Sequence, residues 1–141
     1  MSHAMPPSPP PCVVLDTNVV LDWLVFENPH SQRIGRAIEQ GSLHWIAGAH
    51  LRDELSHVLS RGVASDWNPD RDRLWRTWDR WAQHRPPPSE PTLPALRCTD
   101  PEDQKFIDFA LAHAQWLISR DRAVLKIARR AALHGLRVVA P

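Results

Sequence analysis

Val13-Val14-Leu15-Asp16-Thr17-Asn18-Val19-Val20-Leu21 is the stretch whose reading decides the fold. Val13, Val14 and Leu15 form a continuous apolar, largely β-branched run, the pattern of a strand buried on both faces. Asp16 ends that run. From Thr17 onward, Val19, Val20, Trp23, Leu24 and Phe26 recur at helical spacing, so Asp16 stands where a buried strand hands over to a helix. In open α/β sheets that junction is where ligands bind.

The same alternation continues outward from this stretch. Asn28-Pro29-His30-Ser31 interrupts the pattern, and Ile34, Ala37 and Ile38 predict a second helix that Gly41 ends. Leu43 to Ala47 reads as a second strand. The stripe Leu51, Leu55, Val58 and Leu59 then gives a third helix, closed by Arg61-Gly62. Asn68-Pro69-Asp70 opens a fourth, with Pro in its first turn. This helix carries Leu74, Trp75, Trp78 and Trp81 as a broad aromatic face, suited either to the core or to a partner surface. Arg85 to Pro94 is a proline-rich connection without periodicity, read as an insertion or a flap. Cys98-Thr99-Asp100-Pro101 starts another helix, with Phe106, Ile107, Ala110 and Ala114 on its buried side. Trp116 to Ser119 is a strand, Asp121 to His134 one helix capped by Gly135, and Leu136 to Val139 the closing strand. Strands alternating with helices predict a three-layer α/β/α fold around a mostly parallel sheet.

A chain of 141 residues suits one domain with a proper core. The expected division is a Pro-rich flexible tail over residues 1–11 and a single domain over 12–141. The net charge of +1 decides nothing about nucleic acid, because a global sum hides local asymmetry. Cys12 and Cys98 are too few for a disulfide framework and match no zinc spacing, which points to a reducing, cytoplasmic setting. No apolar run approaches the ~20 residues of a membrane span, and Met1 to Met5 has neither the basic nor the apolar region of a secretory signal.

Topology then constrains the acids. In parallel α/β units, Asp16 and Asp121 leave strands at the carboxyl edge of the sheet. Asp100 and Asp103 open a helix that starts at that edge, and Glu54 sits two turns into the helix leaving the second strand. Carboxylates gathered without compensation raise one another's pKa and destabilise the fold. A cation resolves the conflict, and oxygen-only ligands suit Mg2+ or Mn2+, one ion or two. Such a site supports phosphoester cleavage. Asp16, Asp100 and Asp121 are equally well placed as helix N-caps. Glu54 is not, since it borders an apolar stripe and needs a partner there.

Val14-Leu15-Asp16-Thr17-Asn18-Val19 resembles the opening signature of PIN domains, and Asp53-Glu54-Leu55 resembles their second acidic position. The segment from Asp100-Pro101-Glu102-Asp103-Gln104-Lys105-Phe106 to Trp116-Leu117-Ile118-Ser119-Arg120-Asp121 is similar to their C-terminal half, with eighteen positions from Asp103 to Asp121. The likeness runs from Cys12 to Val139. It implies a metal-dependent nuclease, most often a single-strand-specific endoribonuclease, and in bacteria commonly the toxin of a VapC-like toxin–antitoxin pair. RNA processing or DNA cleavage is the alternative role. The acids it carries over are Asp16, Glu54, Asp103 and Asp121, with Asp100 as a further metal ligand. Thr17, Asn18 and Ser119 match positions that orient ligands or water. An antitoxin partner and a homodimer are implied by the resemblance alone. Arg120 departs from the pattern, since a smaller residue often precedes the last aspartate.

Arg120, Arg122, Lys126, Arg129, Arg130 and Arg137 face a single acid, Asp121, in the last part of the chain. The first five are candidates for binding the RNA backbone, or else form a solvated helix face. His50, Glu54 and His57 share a helix face but not the H-E-x-x-H zinc spacing. Neither a Gly-rich phosphate loop nor a G-x-S-x-G elbow occurs, which excludes P-loop hydrolases and serine hydrolases. A receiver-like binding module shares the α/β plan and strand-end aspartates. It would require an acidic pair at the first strand and a Lys ending a later one, and the chain has neither.

Overall fold

The computed structural model describes residues 9–141; most of the expected N-terminal tail, residues 1–8, lies outside that range. Five strands form one sheet: β1 (Cys12–Leu15), β2 (His44–Ala47), β3 (Gln83–His84), β4 (Trp116–Ile118) and β5 (Arg137–Val139). Their order is β3-β2-β1-β4-β5 and every pairing is parallel. The chain winds outward from β1 through β2 to β3, then crosses back to place β4 on the other side of β1. The winding reverses between β1 and β4, and the crevice beyond the carboxyl ends of those two strands is where such sheets bind ligands.

Helices cover both faces of the sheet. α1 (Thr17–Leu24) and α2 (Pro29–Glu39) follow β1, α3 (Ala49–Ser60) and α4 (Arg71–Trp81) follow β2, and α5 (Gln104–His113) precedes β4. α6 (Arg122–Leu125) and α7 (Ala128–Ala132) lead to β5. Val13, Val14 and Leu15 are all buried although successive side chains point to opposite faces, so the central strand is covered on both sides. The architecture is the expected three-layer α/β/α fold. Asn28 caps α2 by accepting from the His30 amide at 2.9 Å. Gly35 lets α2 approach α1, because a Cβ there would lie 2.0 Å from Trp23 Nε1.

The tryptophan face of α4 packs inward. Trp78 is buried and meets Trp45 edge-on at 4.9 Å, and Trp45 meets Trp23 at 5.4 Å, giving an aromatic stack from α4 through β2 to α1. Trp78 Nε1 donates to His84 Nε2 at 2.8 Å, which satisfies the indole and fastens β3 beside β2.

The structure departs from the sequence reading in four places. β3 was not expected, because two residues show no periodicity. Pro69 precedes the Asp70 cap of α4 and is not in the first turn. The helix expected from Asp121 to His134 is two short helices: Ile127 leaves helical geometry (φ −88°, ψ 2°) and is buried with Val124, Ala131 and Leu136. The proline-rich connection is tied down by Thr92 Oγ1 donating to Asp108 at 2.6 Å, by a 2.8 Å contact of His113 Nε2 with the Pro86 carbonyl, and by buried Leu96. Among the described residues no helix is long and apolar enough to cross a membrane.

Candidate active site

Asp16 is held at the end of β1 by the sheet itself. Its amide donates to the Ile118 carbonyl at 3.0 Å, which extends the β1–β4 ladder by one step. Its side chain is 4 % exposed, and both carboxylate oxygens accept hydrogen bonds. Oδ1 takes the Thr17 amide at 2.7 Å, and Oδ2 takes the Ser119 hydroxyl at 2.6 Å. Burial pushes its pKa up, and the bonds from Ser119 and Thr17 oppose that shift. The Ser119 hydroxyl accepts in turn from the Asp121 amide at 3.0 Å, so one side chain connects the two strand ends.

Asp121, Asp100 and Asp103 converge from two connections. Each offers a carboxylate oxygen, and the three atoms lie within 4.8 Å of one another. Asp121 and Asp100 are also caps, accepting from the Ala123 amide at 2.8 Å and the Glu102 amide at 3.0 Å. The capping and clustering readings therefore hold together, since a cap uses one oxygen and leaves the other free. Asp103 ends a 3-10 turn, Pro101–Asp103, at the start of α5. Its pKa is pushed up to about 7 by burial, then by the charges of Asp16 and Asp121, by a hydrogen bond to Asp121 that requires its proton, and by Asp100.

Asp16, Thr17, Asn18, Glu54, Asp103 and Arg120 line one open cleft of ≈250 Å³, whose apolar side includes Leu21, Phe26, Val58 and Val63. Three buried polar atoms here have no hydrogen-bond partner: Thr17 Oγ1, Asn18 Oδ1 and Asp103 Oδ2. Unpaired buried oxygens cost free energy, and their grouping beside carboxylates fits a ligand that accepts electron density, a hard cation above all. A larger cavity of ≈480 Å³ lies between the proline-rich segment 86–91 and α5. Asp108 and His113 in its wall are paired to Thr92, Gln104 and the Pro86 carbonyl, so it has no comparable group of unpaired atoms.

Two partners in the site were not foreseen from the sequence. Glu54 pairs with Lys105, Nζ to Oε2 2.8 Å, which supplies the partner its position required. Arg120 pairs with Asp22 on α1, Nε to Oδ2 2.7 Å and Nη2 to Oδ1 3.4 Å. The Asp22 side chain is only 8 % exposed and that of Arg120 55 %, so a buried carboxylate fixes the angle of a guanidinium that borders the cleft. Of the five cations expected to contact RNA, Arg120 lines the cleft. Arg122, Lys126, Arg129 and Arg130 are exposed on and between α6 and α7, outside it. Because the helix breaks at Ile127, they do not form the single helical stripe that one long helix would present.

A family model described as a PIN domain matches residues 12–123 of the chain. No curated protein matches it.

Proposed function

The chain belongs to the PIN-domain family, whose members are generally nucleases that use divalent metal ions, and from that membership we propose a metal-dependent endoribonuclease acting on single-stranded RNA. The observation that carries this reading is the buried, unpartnered Oδ2 of Asp103, in a cluster whose carboxylates approach within 4.8 Å. Asp100, Asp103 and Asp121 would hold the ion, with Asp16 and Glu54 lining the same cleft as Asp103. A bound Mg2+ or Mn2+ supplies an acidified water and offsets the charge that develops on a phosphodiester.

The chain's own residues supply the rest. Ser119 and the Thr17 amide orient Asp16 and favour its carboxylate against the burial that raises its pKa. Asp103, whose pKa burial and the neighbouring acids raise, would hold a cation as its carboxylate, the positive charge offsetting both effects. Thr17 and Asn18 present unpaired oxygens to orient a ligand or water. Arg120, braced by Asp22, offers a guanidinium edge to a phosphate beside the acids, and the exposed cations of α6 and α7 attract the more distant backbone.

The expected result is cleavage of single-stranded RNA in Mn2+, its abolition by excess EDTA, and no cleavage by Asp103→Asn although that variant folds. Full activity in EDTA or in the variant overturns the reading, and preferential cleavage of DNA transfers it to the alternative role. The toxin assignment, with an antitoxin that covers the cleft and a homodimer, is a further proposal that rests on the VapC-like resemblance. Induced wild-type chain then arrests bacterial growth where Asp103→Asn does not, and light scattering reports a dimer.

A further inference from the structure

We propose that the apolar wall of the acid cleft, formed by Phe26 and Val63 and extended by Trp67, is a stacking subsite for an unpaired base next to the phosphate that the acids engage. The inference rests on the nuclease reading above and adds how the substrate is held. The cleft is lined by two chemistries, the acids Asp16, Glu54 and Asp103 and the apolar side chains Phe26, Val58 and Val63. A carboxylate cluster cannot by itself retain a polyanion, so binding must draw on cations and on contacts indifferent to charge. An aromatic platform provides the second kind, since every base has a π-face.

Trp67 is the most informative residue of this wall. It is 59 % exposed and Val63 60 %, in a chain whose other tryptophans are at least half-buried. Local folding does not require the indole to sit there. The connection between α3 and α4 is anchored by buried Ala64 and by Arg71 Nη2 donating to the Leu59 carbonyl at 2.9 Å. The Trp67 ring instead meets Phe26 edge-to-face, centroids 5.1 Å apart at 73°. Phe26 lines the cleft, so the pair continues the wall to the surface, and such a contact occupies at most one face of the indole. At ≈250 Å³ the cleft is smaller than the roughly 300–1,000 Å³ that drug-sized ligands need, and suits one planar fragment. In a duplex both faces of each base are already stacked, so this wall selects single strands, without reading the 2′-hydroxyl that separates RNA from DNA.

The test uses the full chain with Ca2+ in place of Mn2+ and a fluorescein-labelled single-stranded RNA, read by anisotropy. Trp67→Ala is expected to weaken binding roughly five- to hundred-fold and Trp67→Phe to retain most of the affinity. An oligonucleotide series carrying one abasic site at successive positions is expected to contain a member for which wild type and Trp67→Ala bind alike. The emission lost between wild type and Trp67→Phe isolates the Trp67 indole, and RNA is expected to quench it. Wild-type RNA binding matched by Trp67→Ala overturns the proposal, as does a loss that persists for every abasic oligonucleotide. Unchanged RNA affinity with a lost dimer assigns the wall to protein contacts and overturns it too. Trp67-dependent binding without cleavage in Mn2+ would leave the stacking subsite standing and remove the nuclease reading; cleavage with Trp67-independent binding would do the reverse.

Discussion

The tryptophan stack and the acid cleft are both dense clusters of one residue kind; by sequence the tryptophans suit core or partner surface, and the acids suit helix caps or metal ligands. In the stack, Trp23, Trp45 and Trp78 meet edge-to-face, the indole of Trp78 has its acceptor in His84, and most of the apolar surface is out of water. The cleft is the opposite. It brings like charges together, holds Asp103 protonated up to about pH 7 and leaves three buried oxygens unpaired. One cluster stabilises the fold; the other is tolerated by it. That asymmetry locates function, because strain and unsatisfied polarity persist where chemistry needs them.

The contrast is broken most strongly by Asp16→Asn, which should reduce RNA cleavage by about 10⁴-fold, equivalent to ~5.5 kcal/mol of transition-state stabilisation, while urea unfolding changes little. Trp78→Ala should do the converse. Emptying the stack costs about 3–5 kcal/mol, enough to unfold much of a domain of ordinary stability, and this is read from the urea midpoint. Ser119→Ala falls between them. It removes a support of Asp16 without touching a ligand position, so metal affinity measured by calorimetry should drop about 10- to 100-fold.

The smallest effect tests the electrostatics of the cleft. The folded pKa of Asp103, about 7, lies above its ordinary value of 3.8. Its contribution to stability is therefore complete below pH 3.8 and lost as pH rises through about 7. In EDTA, thermal denaturation of the wild type should show this loss between pH 4 and 8, on the order of 1 kcal/mol after allowance for solvent screening. Asp103→Asn should flatten the profile, and Mn2+ should reverse the loss for the wild type alone. A metal-free profile identical in both proteins removes Asp103 from the account.

Much of this was legible because it is local. The run into Asp16, the stripe of α3 and the Asp100-Pro101 opening each declare an element and an acid within a few residues, and parallel topology then gathers the acids at one edge. What was missed depends on distance or on burial. Lys105 meets Glu54 across 51 positions of sequence. Asp22 looks like an ordinary polar residue of α1 until its burial beneath Arg120 is seen. Ile127 breaks a helix that has no Gly or Pro at the break, because burying its side chain outweighs local propensity. Trp67 lies outside every periodic segment, and only the cleft beside it gives it meaning.

Ser119 carries a last consequence. Its single hydroxyl reaches Asp16 on one side and the Asp121 amide on the other, while the Asp121 side chain is anchored on Ala123. The gauge between the ends of β1 and β4 is thus set by the protein's own hydrogen bonds and not by whatever fills the cleft. A cage dimensioned in advance would ask an incoming ion to match its radius, so calorimetry is expected to rank the small, geometrically demanding Mg2+ above the larger Ca2+, which would still bind more weakly.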